Sequence, residues 1–524
     1  MWDLGHFGPK EYSACIVAAL ILVVLSKHRV RRTVKLPPGP PRLPIIGNLH
    51  QMTASRLWEK ATEWRDQYGD IVYVENIGKP LLILNSYEVA SELLDNRSAI
   101  YSSRPNLIMA MELQGWAWVT SMLPYCEKLR QHRAYLHRFF QTPEALNYFE
   151  LQERETCVML NGLLHSPEKY ADHVRRLPGA VILKNVYGYE VQKLNDPMVQ
   201  SGEQVLRRGG ESLQYILLDF LPWCHPANPI PVKHVPEWTP FVKFPKVARE
   251  GRQTVATFKS MTRELARKQV MEENAGQSMA SILLSENMKD DGSIDDEQNI
   301  YDASAMAFLG GTDTSVTAIM TFILAILKNP DKQSRAQVEI DGAIGTDRLP
   351  TVSDVDALPY VQAICTEILR WEVILPLGIA HNLTENDEYM GYHIPAGTMV
   401  VPNVWSMALD ERYYPDPLSF KPERWMPGET KEGVPSLMPQ DYVFGLGRRI
   451  CSGKKWAEHI VFLAVASILA TFHIEKGKTA NGETIPPNDN YLPSILRALG
   501  PSQCKITPRS EKAASLIRQS VAAL

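Results

Sequence analysis

One cysteine in a loop rich in glycine and arginine carries the clearest chemistry in this sequence. The loop 444–453 reads FGLGRRICSG, with Cys451 near its end, and a helix is predicted over Trp456–Phe472. Backbone amides at the start of a helix, with Arg449 nearby, favour a thiolate over a thiol. A thiolate presented in this way is a metal ligand or a nucleophile. The alternative is an inert buried cysteine, which leaves the glycine and arginine pattern unexplained.

The same loop does not fit a phosphate-binding motif. A GxGxxG sequence would need glycine where Ile450 stands. A P-loop needs Ser or Thr after its lysine, whereas Lys455 follows Lys454 here. The metal-ligand and nucleophile interpretations therefore remain.

The longest periodic segment, 296–328, holds a second candidate site and ends before Pro330. Its central residues 310–315 read GGTDTS, and two adjacent glycines cost a helix roughly 1 kcal/mol each relative to alanine. Without side chains on one face, the helix would let a flat ligand or a small gas molecule approach its backbone. The Thr314 hydroxyl is expected to bond the Gly310 carbonyl or, if the helix opens, another group. Tight helix packing around a buried threonine is the alternative.

A third motif places Glu367 and Arg370 on one predicted helical face. Such a pair is usually solvated, but apolar neighbours such as Trp371 indicate that this one is buried. A buried pair needs a further partner, and the segment 420–425, FKPERW, offers one. The sequence therefore predicts a buried ionic cluster.

Composition places these motifs in an ordinary globular protein. The 524 residues are 45% hydrophobic and 22% charged, with a net charge of −4. These values exclude wholesale disorder and argue against nucleic-acid binding, which usually needs a basic surplus. The seven cysteines are scattered without a CxxC pair, so neither a disulfide framework nor a structural zinc site is expected. A reducing compartment fits this cysteine usage.

The N-terminus predicts a membrane anchor. Residues 12–26 are apolar, and basic residues follow them. A cleaved signal peptide, the alternative, would carry its positive charge before the apolar run. The order here predicts a retained transmembrane anchor over 12–26, with residues 1–11 in the lumen and the bulk of the protein in the cytosol. Residues 27–45 predict a basic and proline-rich hinge that is stiff and extended.

We predict one large, mainly α domain with small β-sheets over residues 46–508, followed by a C-terminal tail at 509–524. No second linker, repeat or low-complexity stretch interrupts the domain. Two strand pairs are predicted, one at Ile71–Glu75 and Leu81–Asn85 and one near Met390–Ile394 and Thr398–Val404. Further helices are predicted at Glu144–Leu164, Ser201–Leu218 and Arg249–Asn274.

Taken together, the motifs resemble those of cytochrome P450, a family of haem-thiolate monooxygenases. The resemblance runs from the anchor to about Pro508, and 387–417 is similar to fungal secondary-metabolism members. The FxxGxRxCxG motif of the family is filled at every fixed position, by Phe444, Gly447, Arg449, Cys451 and Gly453. Gly310–Ser315 fits the oxygen-activating motif, Glu367–Arg370 fits ExxR, and Arg424 fits the arginine that completes the ExxR cluster. The cytochrome P450 fold is implied.

This resemblance implies a haem b cofactor and a task for each motif residue. Cys451 would be the axial ligand of the haem iron, and its electron donation favours cleavage of the O–O bond. Asp313 and Thr314 would deliver protons to the reacting oxygen, and Gly310 and Gly311 would leave room for dioxygen. The residues that would neutralise the haem propionates are Arg133, His381 and Arg449.

Two positions near the propionates depart from the family pattern. The WxxxR motif of the family appears with Leu129 in place of its tryptophan, so only Arg133 carries over. The proline often found before the basic residue His381 is Ala380. The resemblance therefore implies haem binding with an altered propionate network.

The sequence shows no flavin or nicotinamide site, so electrons are expected from a separate NADPH–cytochrome P450 reductase, with cytochrome b5 as a further partner. Five basic residues are expected to flank the thiolate side of the haem, or to form only a solvated rim: Lys128, Arg130, Arg448, Lys454 and Lys455. With the anchor, this implies a single-pass protein of the endoplasmic reticulum membrane. Its product would be a hydroxylated or epoxidised molecule.

Apolar residues near the motifs predict the substrate, although each fits a core position equally well. They are Met109, Met111, Leu113, Trp116, Trp118, Met122, Phe308, 373–377 and 491–493. As a group they predict a bulky apolar small molecule, such as a terpenoid or polyketide intermediate, entering from the membrane past 220–223 and 230–235. Two other functions stay open: a haem-thiolate isomerase or dehydratase that needs no reductase, and a haem-binding carrier or sensor without turnover.

Overall fold

The computed structural model describes residues 35–52, 56–141, 148–212, 215, 217–220, 232–271, 277–428, 437–491 and 496–524. The predicted anchor at 12–26 and the first part of the hinge lie outside these residues. So do 221–231 and 492–495, which cover much of the predicted substrate entry and part of the predicted substrate lining.

The described residues form a mainly helical protein with small sheets, as the sequence predicts. Apolar side chains recur at helical spacing through most of the chain, which is why helices dominate. In chain order the helices are α1 (Leu57–Tyr68), α2 (Tyr87–Ser91), α3 (Ser98–Tyr101), α4 (Glu127–Phe140), α5 (Tyr148–His165), α6 (Tyr170–Tyr187), α7 (Pro197–Ser212), α8 (Leu217–Phe220), α9 (Phe244–Met271), α10 (Met279–Glu286), α11 (Glu297–Lys328), α12 (Pro330–Ala343), α13 (Pro359–Trp371), α14 (Val404–Ala408), α15 (Lys454–Thr471) and α16 (Glu511–Ala522).

Helix α11 forms the axis of the protein. Its 32 residues continue unbroken through Gly310 and Gly311, and most of its side chains are buried. Helices α4, α6, α7, α9, α13 and α15 pack around it. Among the described residues it is the one helix long and apolar enough to cross a membrane, but 78% of its apolar window is buried inside the protein. It is therefore the core helix that the sequence predicts over 296–328.

Three small sheets lie within the described part of the chain. Their strands are β1 (Ile71–Asn76), β2 (Lys79–Leu84), β3 (His381–Asn382), β4 (Asp387–Tyr389), β5 (Tyr392–Ile394), β6 (Met399–Pro402), β7 (Phe472–Lys476) and β8 (Cys504–Pro508). The largest sheet has the order β1-β2-β6-β3. In it, Val72 of β1 lies opposite Ile83 of the antiparallel β2, and Ile83 pairs with Val401 of the parallel β6.

The predicted strands near Met390–Ile394 and Thr398–Val404 are present but do not pair with each other. Gly397, with φ of +79°, turns the chain between them. Strand β5 pairs with β4. Strand β6 enters the large sheet because Val400 and Val401 are both buried, and a strand that is apolar on both faces is stable only inside a covered sheet.

Two predicted helices start earlier than the sequence pattern indicates. Helix α7 begins at Pro197 and ends at Ser212, and α9 begins at Phe244, one residue before Pro245. Proline is tolerated in the first turn of a helix, where its missing N–H has no helical partner. Both prolines therefore mark helix starts.

The predicted C-terminal tail 509–524 contains helix α16, which belongs to the folded body. Ser510 caps this helix by accepting the Ala513 N–H at 3.1 Å. Ala513, Ala514 and Ile517 are buried, and α16 packs against α5 and α15. The folded body thus extends past the predicted boundary at 508.

The predicted ionic cluster is present and fully enclosed. The side chains of Glu367 and Arg370 have no exposed surface, and Arg370 Nη2 lies 2.7 Å from Glu367 Oε1. Arg424 Nε and Trp425 Nε1 also donate to Glu367, at 3.1 and 2.9 Å. These contacts confirm Arg424 as the third partner. We call Glu367, Arg370 and Arg424 the closed cluster.

Candidate active site

The cysteine loop 444–453 is shaped by a backbone hydrogen bond and by glycine. The Cys451 N–H donates to the Phe444 carbonyl at 2.8 Å, which closes the loop. Gly447 has φ of +54°, in the left-handed region that favours glycine. A Cβ at Gly447 would lie 2.4 Å from the Leu94 carbonyl oxygen, so a side chain has no room there. The glycine pattern in the sequence thus has a steric cause.

Cys451 as a residue is exposed, although protein atoms surround its thiol closely enough to desolvate it. Burial raises the pKa of this thiol, while the Gly453 backbone amide and the Arg133 guanidinium lower it in part. Arg449, expected to favour a thiolate, instead directs its guanidinium at two backbone carbonyls. The net shift does not favour a thiolate, whereas coordination to a metal deprotonates a thiol. The site suits a metal ligand better than a free nucleophile.

Helix α11 presents a threonine and a glycine to the interior. Thr314 Oγ1 donates to the Gly310 carbonyl at 2.8 Å, which is the predicted bond. A Cβ at Gly310 would meet the flexible end of Met306 at 3.3 Å. A Cβ at Gly311 would lie 3.0 Å from Ile182 Cδ1, so Gly311 lets α6 pack closely on α11. Gly311 has the packing role, and space for a small ligand stays a prediction for Gly310.

Asp313 forms an ion pair with Arg175, which links it to the two neighbouring helices α6 and α7. Arg175 Nη1 of α6 lies 2.8 Å from Asp313 Oδ1, and Arg175 Nη2 lies 3.3 Å from Glu203 of α7. Burial raises the pKa of Asp313, Arg175 lowers it, and Glu203 raises it. A buried carboxyl with a raised pKa is suited to hold and release a proton.

A cavity of about 310 Å³ is bordered both by the cysteine loop and by the segment of α11 that carries Thr314. Its wall includes Thr314 of α11, Phe444 of the cysteine loop, Ala457 of α15 and Ile374. Residues of α13 complete the wall. Since the Phe444 carbonyl also accepts the Cys451 N–H, the cysteine loop and Thr314 border the same interior space.

One of the predicted cationic residues, Arg133, lies beside the cysteine loop, and another, Arg449, is part of it. Arg133 Nη1 donates to the Ile450 carbonyl at 2.9 Å. Arg449 donates from Nε to Ser102 at 2.7 Å and from Nη2 to Leu123 at 2.6 Å. Arg449 Nη1 is buried and has no hydrogen-bond partner. No described carboxylate acts on the pKa of either guanidinium.

His381, the third predicted residue, is buried in the same region. Its Nδ1 donates to the Tyr101 carbonyl at 2.8 Å, which leaves Nε2 for a ligand. Burial lowers the pKa of His381 well below its usual value, and the charges of Arg104 and Arg449 lower it further. A carboxylate beside Nε2 would oppose these effects.

Arg104 also belongs to this group, although nothing in the sequence pattern indicates it. Its Nη1 donates to the carbonyls of Ile379 at 2.5 Å and Ala380 at 2.9 Å, directly before His381. Its Nε donates to the Ser121 carbonyl at 2.9 Å. An arginine in a loop has no spacing that marks it as a ligand, so its position is a product of the fold.

Two residues predicted for the substrate cavity lie in the core instead. Phe308 has no exposed surface, and its ring stacks on Phe258 at 5.7 Å. Trp118 is also buried and stacks on the same phenylalanine at 6.4 Å. Gly202 of α7 gives Phe308 its space, because a Cβ there would lie 3.0 Å from the ring. Ile374, within the predicted segment 373–377, does line the cavity.

Known proteins match this chain over nearly its whole length. The sequence model of the cytochrome P450 family matches residues 37–501. The chain is 35% identical to cytochrome P450 monooxygenase COX2 of Coprinopsis cinerea, over 100% of this chain and 99% of that relative. It is 37% identical to cytochrome P450 monooxygenase claR of Ampulloclitocybe clavipes, over 95% and 91% of the two chains. It is 34% identical to cytochrome P450 monooxygenase 136 of Postia placenta, over 98% and 96%.

A mainly helical fold, with a thiol in a glycine-rich loop, cationic side chains beside that loop and a cavity that the loop borders, fits a protein that holds a metal-containing organic cofactor. With the matches above, the chain belongs to the cytochrome P450 family. It is a P450 monooxygenase, an oxidoreductase, as the motifs predict. Family membership implies a haem-iron cofactor.

The described residues fit that cofactor. The Cys451 thiol, held in the glycine-rich loop, offers sulfur to an iron ion, which is the donor type that this chemistry needs. The buried Nη1 of Arg449 has no hydrogen-bond partner, and a propionate carboxylate would supply an acceptor. Thr314 of α11 and Phe444 of the cysteine loop border one cavity. The family resemblance assigns α11 and the cysteine loop to the two faces of the haem, so this cavity lies where the haem is expected.

Proposed function

We propose that this enzyme inserts one oxygen atom of O₂ into a bulky apolar small molecule, giving a hydroxylated or epoxidised product. The substrate class is a terpenoid or another secondary-metabolite intermediate. Electrons come from a separate NADPH–cytochrome P450 reductase, with cytochrome b5 as a second donor. Residues 12–26 anchor the protein once in the endoplasmic reticulum membrane, and the hinge 27–45 connects the anchor to a catalytic domain in the cytosol.

The observation that carries this proposal is the shared cavity. It brings the cysteine loop, through Phe444, next to the Thr314 face of α11. A carrier or sensor would need the thiol but neither the Thr314 hydroxyl at the cavity wall nor the protonatable carboxyl of its neighbour Asp313. The presence of Thr314 and Asp313 therefore favours turnover with oxygen.

In this proposal Cys451 holds the haem iron, and the bound haem supplies the activation of O₂. The glycines of the motif, Gly447 and Gly453, let the loop approach the cofactor closely. The side chains that hold the propionates are Arg133, His381 and Arg449.

Thr314 at the cavity wall and its neighbour Asp313 are the proposed proton-handling groups. The Thr314 proton is engaged with the Gly310 carbonyl, so the lone pairs of Oγ1 are free to accept a hydrogen bond from a proton-carrying water. Burial raises the pKa of Asp313, so its carboxyl holds a proton at higher pH than an exposed aspartate does. Both groups can thus supply protons where bulk water is excluded.

The exposed basic residues near the cysteine loop are the proposed docking point for an acidic electron donor. Lys128 is engaged with the buried Asp302 at 2.9 Å, and Arg130 forms an exposed ion pair with Glu127, so each of these two already has an acidic partner within the protein. Arg448 and Lys455 are exposed beside the loop. These two remain the candidates for contact with a reductase.

The first experiment replaces the proposed iron ligand. Cys451→Ala should abolish the red-shifted absorbance band of the reduced carbon monoxide complex, because that band requires thiolate ligation. Cys365→Ala is a matched control, since this other deeply buried cysteine carries no proposed role. Retention of the band in Cys451→Ala would remove the axial assignment.

A second experiment separates oxygen insertion from the isomerase or dehydratase alternative. Oxygen consumption and product formation should both require a reductase and NADPH. A candidate apolar precursor, supplied to a host that expresses the enzyme with a reductase, should gain one oxygen atom derived from ¹⁸O₂. A product of unchanged oxygen content, formed without reductase, would support the alternative.

A further inference from the structure

One part of the cavity wall is an irregular segment of the chain. Ile374 lines the same cavity as Thr314 and Phe444, and it belongs to the segment 373–377. This segment runs in turns and bends between α13 and β3. Because no helix or sheet holds such a segment, contacts from other parts of the fold must fix its position. The residues that make those contacts therefore help to shape the cavity.

Arg497 contacts this segment at Ile374 itself. The Arg497 N–H donates to the Ile374 carbonyl at 2.9 Å. The side chain of Arg497 is buried as well, with 7% of its surface exposed. The two residues are far apart in the sequence, so no local pattern predicts this contact.

The Arg497 side chain also connects to both flanks of Ile374. Before Ile374, Arg497 Nη2 lies 2.7 Å from Glu372 Oε2. After Ile374, the connection is indirect: the guanidinium lies 4.2 Å from the centre of the Trp405 ring, and the Trp405 N–H donates to the Pro376 carbonyl at 3.0 Å. One side chain thus ties the residues on either side of Ile374.

A tyrosine adds two further contacts. The Tyr491 ring lies 4.0 Å from the Arg497 guanidinium, and its hydroxyl donates to Glu372 Oε2 at 2.5 Å. A planar guanidinium can stack on aromatic rings and pair with a carboxylate at the same time. We call Arg497, Glu372, Tyr491 and Trp405 the wall clamp.

Glu372 depends on Arg497 for its charge balance. Burial raises the pKa of Glu372, and the charge of Arg497 is the largest effect that lowers it. Tyr491 and Lys328 also lower this pKa, while Asp489 raises it. A buried carboxylate that loses its cation is costly, so removal of the Arg497 side chain favours a rearrangement of Glu372 and of the segment that follows it.

We propose that Arg497 is a positioning residue that fixes Ile374 in the cavity wall and so sets which bulky apolar molecules the cavity accepts. Arg497 acts through Ile374 and not by contact with the substrate. The inference rests on the proposed function and names a residue that the sequence motifs do not assign. A wall held by a buried clamp is preorganised, and preorganisation strengthens the binding of a ligand that fills the cavity.

The test compares a bulky and a small ligand of the haem iron. Clotrimazole, a bulky apolar azole, and imidazole both shift the Soret band on binding, so titration gives each dissociation constant. Arg497→Met should weaken clotrimazole binding about tenfold, because the wall is no longer preorganised. Imidazole is too small to fill the cavity, so its dissociation constant should change by less than about twofold.

Arg509→Met is the matched control. Arg509 also pairs with a carboxylate, that of Asp341, and neither residue is part of the described cavity wall. Both dissociation constants should therefore stay at their wild-type values in this variant.

A double variant shows whether Arg497 acts through Ile374. Ile374→Ala truncates the wall directly and should weaken clotrimazole binding by itself. If Arg497 positions Ile374, Arg497→Met/Ile374→Ala should bind clotrimazole within about threefold of Ile374→Ala alone. An arginine that stabilises the protein in general predicts losses that multiply, or equal losses for the two azoles.

Arg497→Lys keeps a positive charge opposite Glu372 but lacks the planar fork. Its affinity for clotrimazole should therefore lie between the affinities of the wild type and Arg497→Met. This variant also carries the test where Arg497→Met yields no folded protein.

Two results would overturn the inference. One is wild-type affinity for clotrimazole in Arg497→Met, or in Arg497→Lys where only that variant folds. The other is a loss that is equal for the two azoles or that multiplies with the loss in Ile374→Ala. Failure of the proposed function looks different, because imidazole would then cause no Soret shift in the wild-type protein.

Discussion

Two groups of buried and half-buried arginines in this protein differ in how their charge is balanced. In the closed cluster, Glu367 faces Arg370 and Arg424 and accepts five hydrogen bonds. The second group, which we call the open cluster, consists of Arg104, Arg133, Arg449 and His381. Its guanidiniums donate to backbone carbonyls, and no described carboxylate neutralises them.

The difference indicates what each cluster does. A buried ion pair is stable only when further hydrogen bonds satisfy both partners, and the closed cluster meets that condition within the protein. The open cluster does not, and we propose that a negatively charged ligand completes it. In this proposal one cluster holds segments of the fold together, and the other is organised for binding.

The largest effect is expected at the closed cluster. Glu367→Ala leaves Arg370 and Arg424 buried without an anion, and we expect a loss of about 3–5 kcal/mol in the free energy of unfolding. Thermal unfolding followed by circular dichroism measures it, with Glu423→Ala, a more exposed carboxylate, as the control. A loss below about 1 kcal/mol would show that the cluster is not structural.

A substitution in the open cluster should change haem retention strongly and the stability of the haem-free protein only slightly. Arg449→Met removes an unneutralised charge as well as two hydrogen bonds to carbonyls, and these effects offset each other in the haem-free protein. We expect the haem-free variant to lose less than about 1 kcal/mol of unfolding free energy. In the haem-bound protein, the same variant should transfer haem to apomyoglobin about tenfold faster or more. Equal destabilisation with and without haem would contradict the comparison.

The comparison extends to Thr314, whose hydroxyl already has a hydrogen-bond partner within the protein, the Gly310 carbonyl. Thr314→Ala changes no proposed iron ligand, so haem and carbon monoxide should still bind. If the hydroxyl organises proton delivery, product formed per NADPH consumed should fall about tenfold or more, with electrons lost as hydrogen peroxide. A purely structural hydroxyl predicts a stability loss of roughly 1 kcal/mol and an unchanged product ratio. Thr317→Ala, which loses a bond to the Asp313 carbonyl, is the matched control.

The smallest effect on the haem site is expected from the N-terminus. Deletion of residues 1–35 should release much of the protein from microsomal membranes while haem content stays unchanged. Within the described residues, this deletion removes the Lys35 carbonyl that accepts the His393 N–H at 2.8 Å and the Lys35 ammonium above the Tyr392 ring. Both contacts lie at the edge of the body. A folded but haem-free truncated protein would show that the segment does more than anchor.

Much of the fold was predictable because it depends on local patterns. The apolar periodicity of 296–328 predicts α11 almost to the residue, and the Glu367–Arg370 spacing with Arg424 downstream predicts the closed cluster. Strand pairing was less predictable. The segments 390–394 and 398–404 are adjacent in sequence but do not pair with each other. Their pairing depends on tertiary burial, because a strand that is apolar on both faces needs a place in a covered sheet.

The sequence by itself determined the family, the reaction class and the cysteine loop, because these depend on residue types at fixed short spacings. The tertiary structure decided how the charges are balanced. In the folded protein, Arg449 donates to backbone carbonyls, and Arg104, which is distant in sequence, donates to the carbonyl before His381. Gly311 lies in a helix contact and Phe308 lies in the core. Contacts between segments far apart in the chain have no spacing that can be read in advance, since they arise only when helices and loops pack around α11.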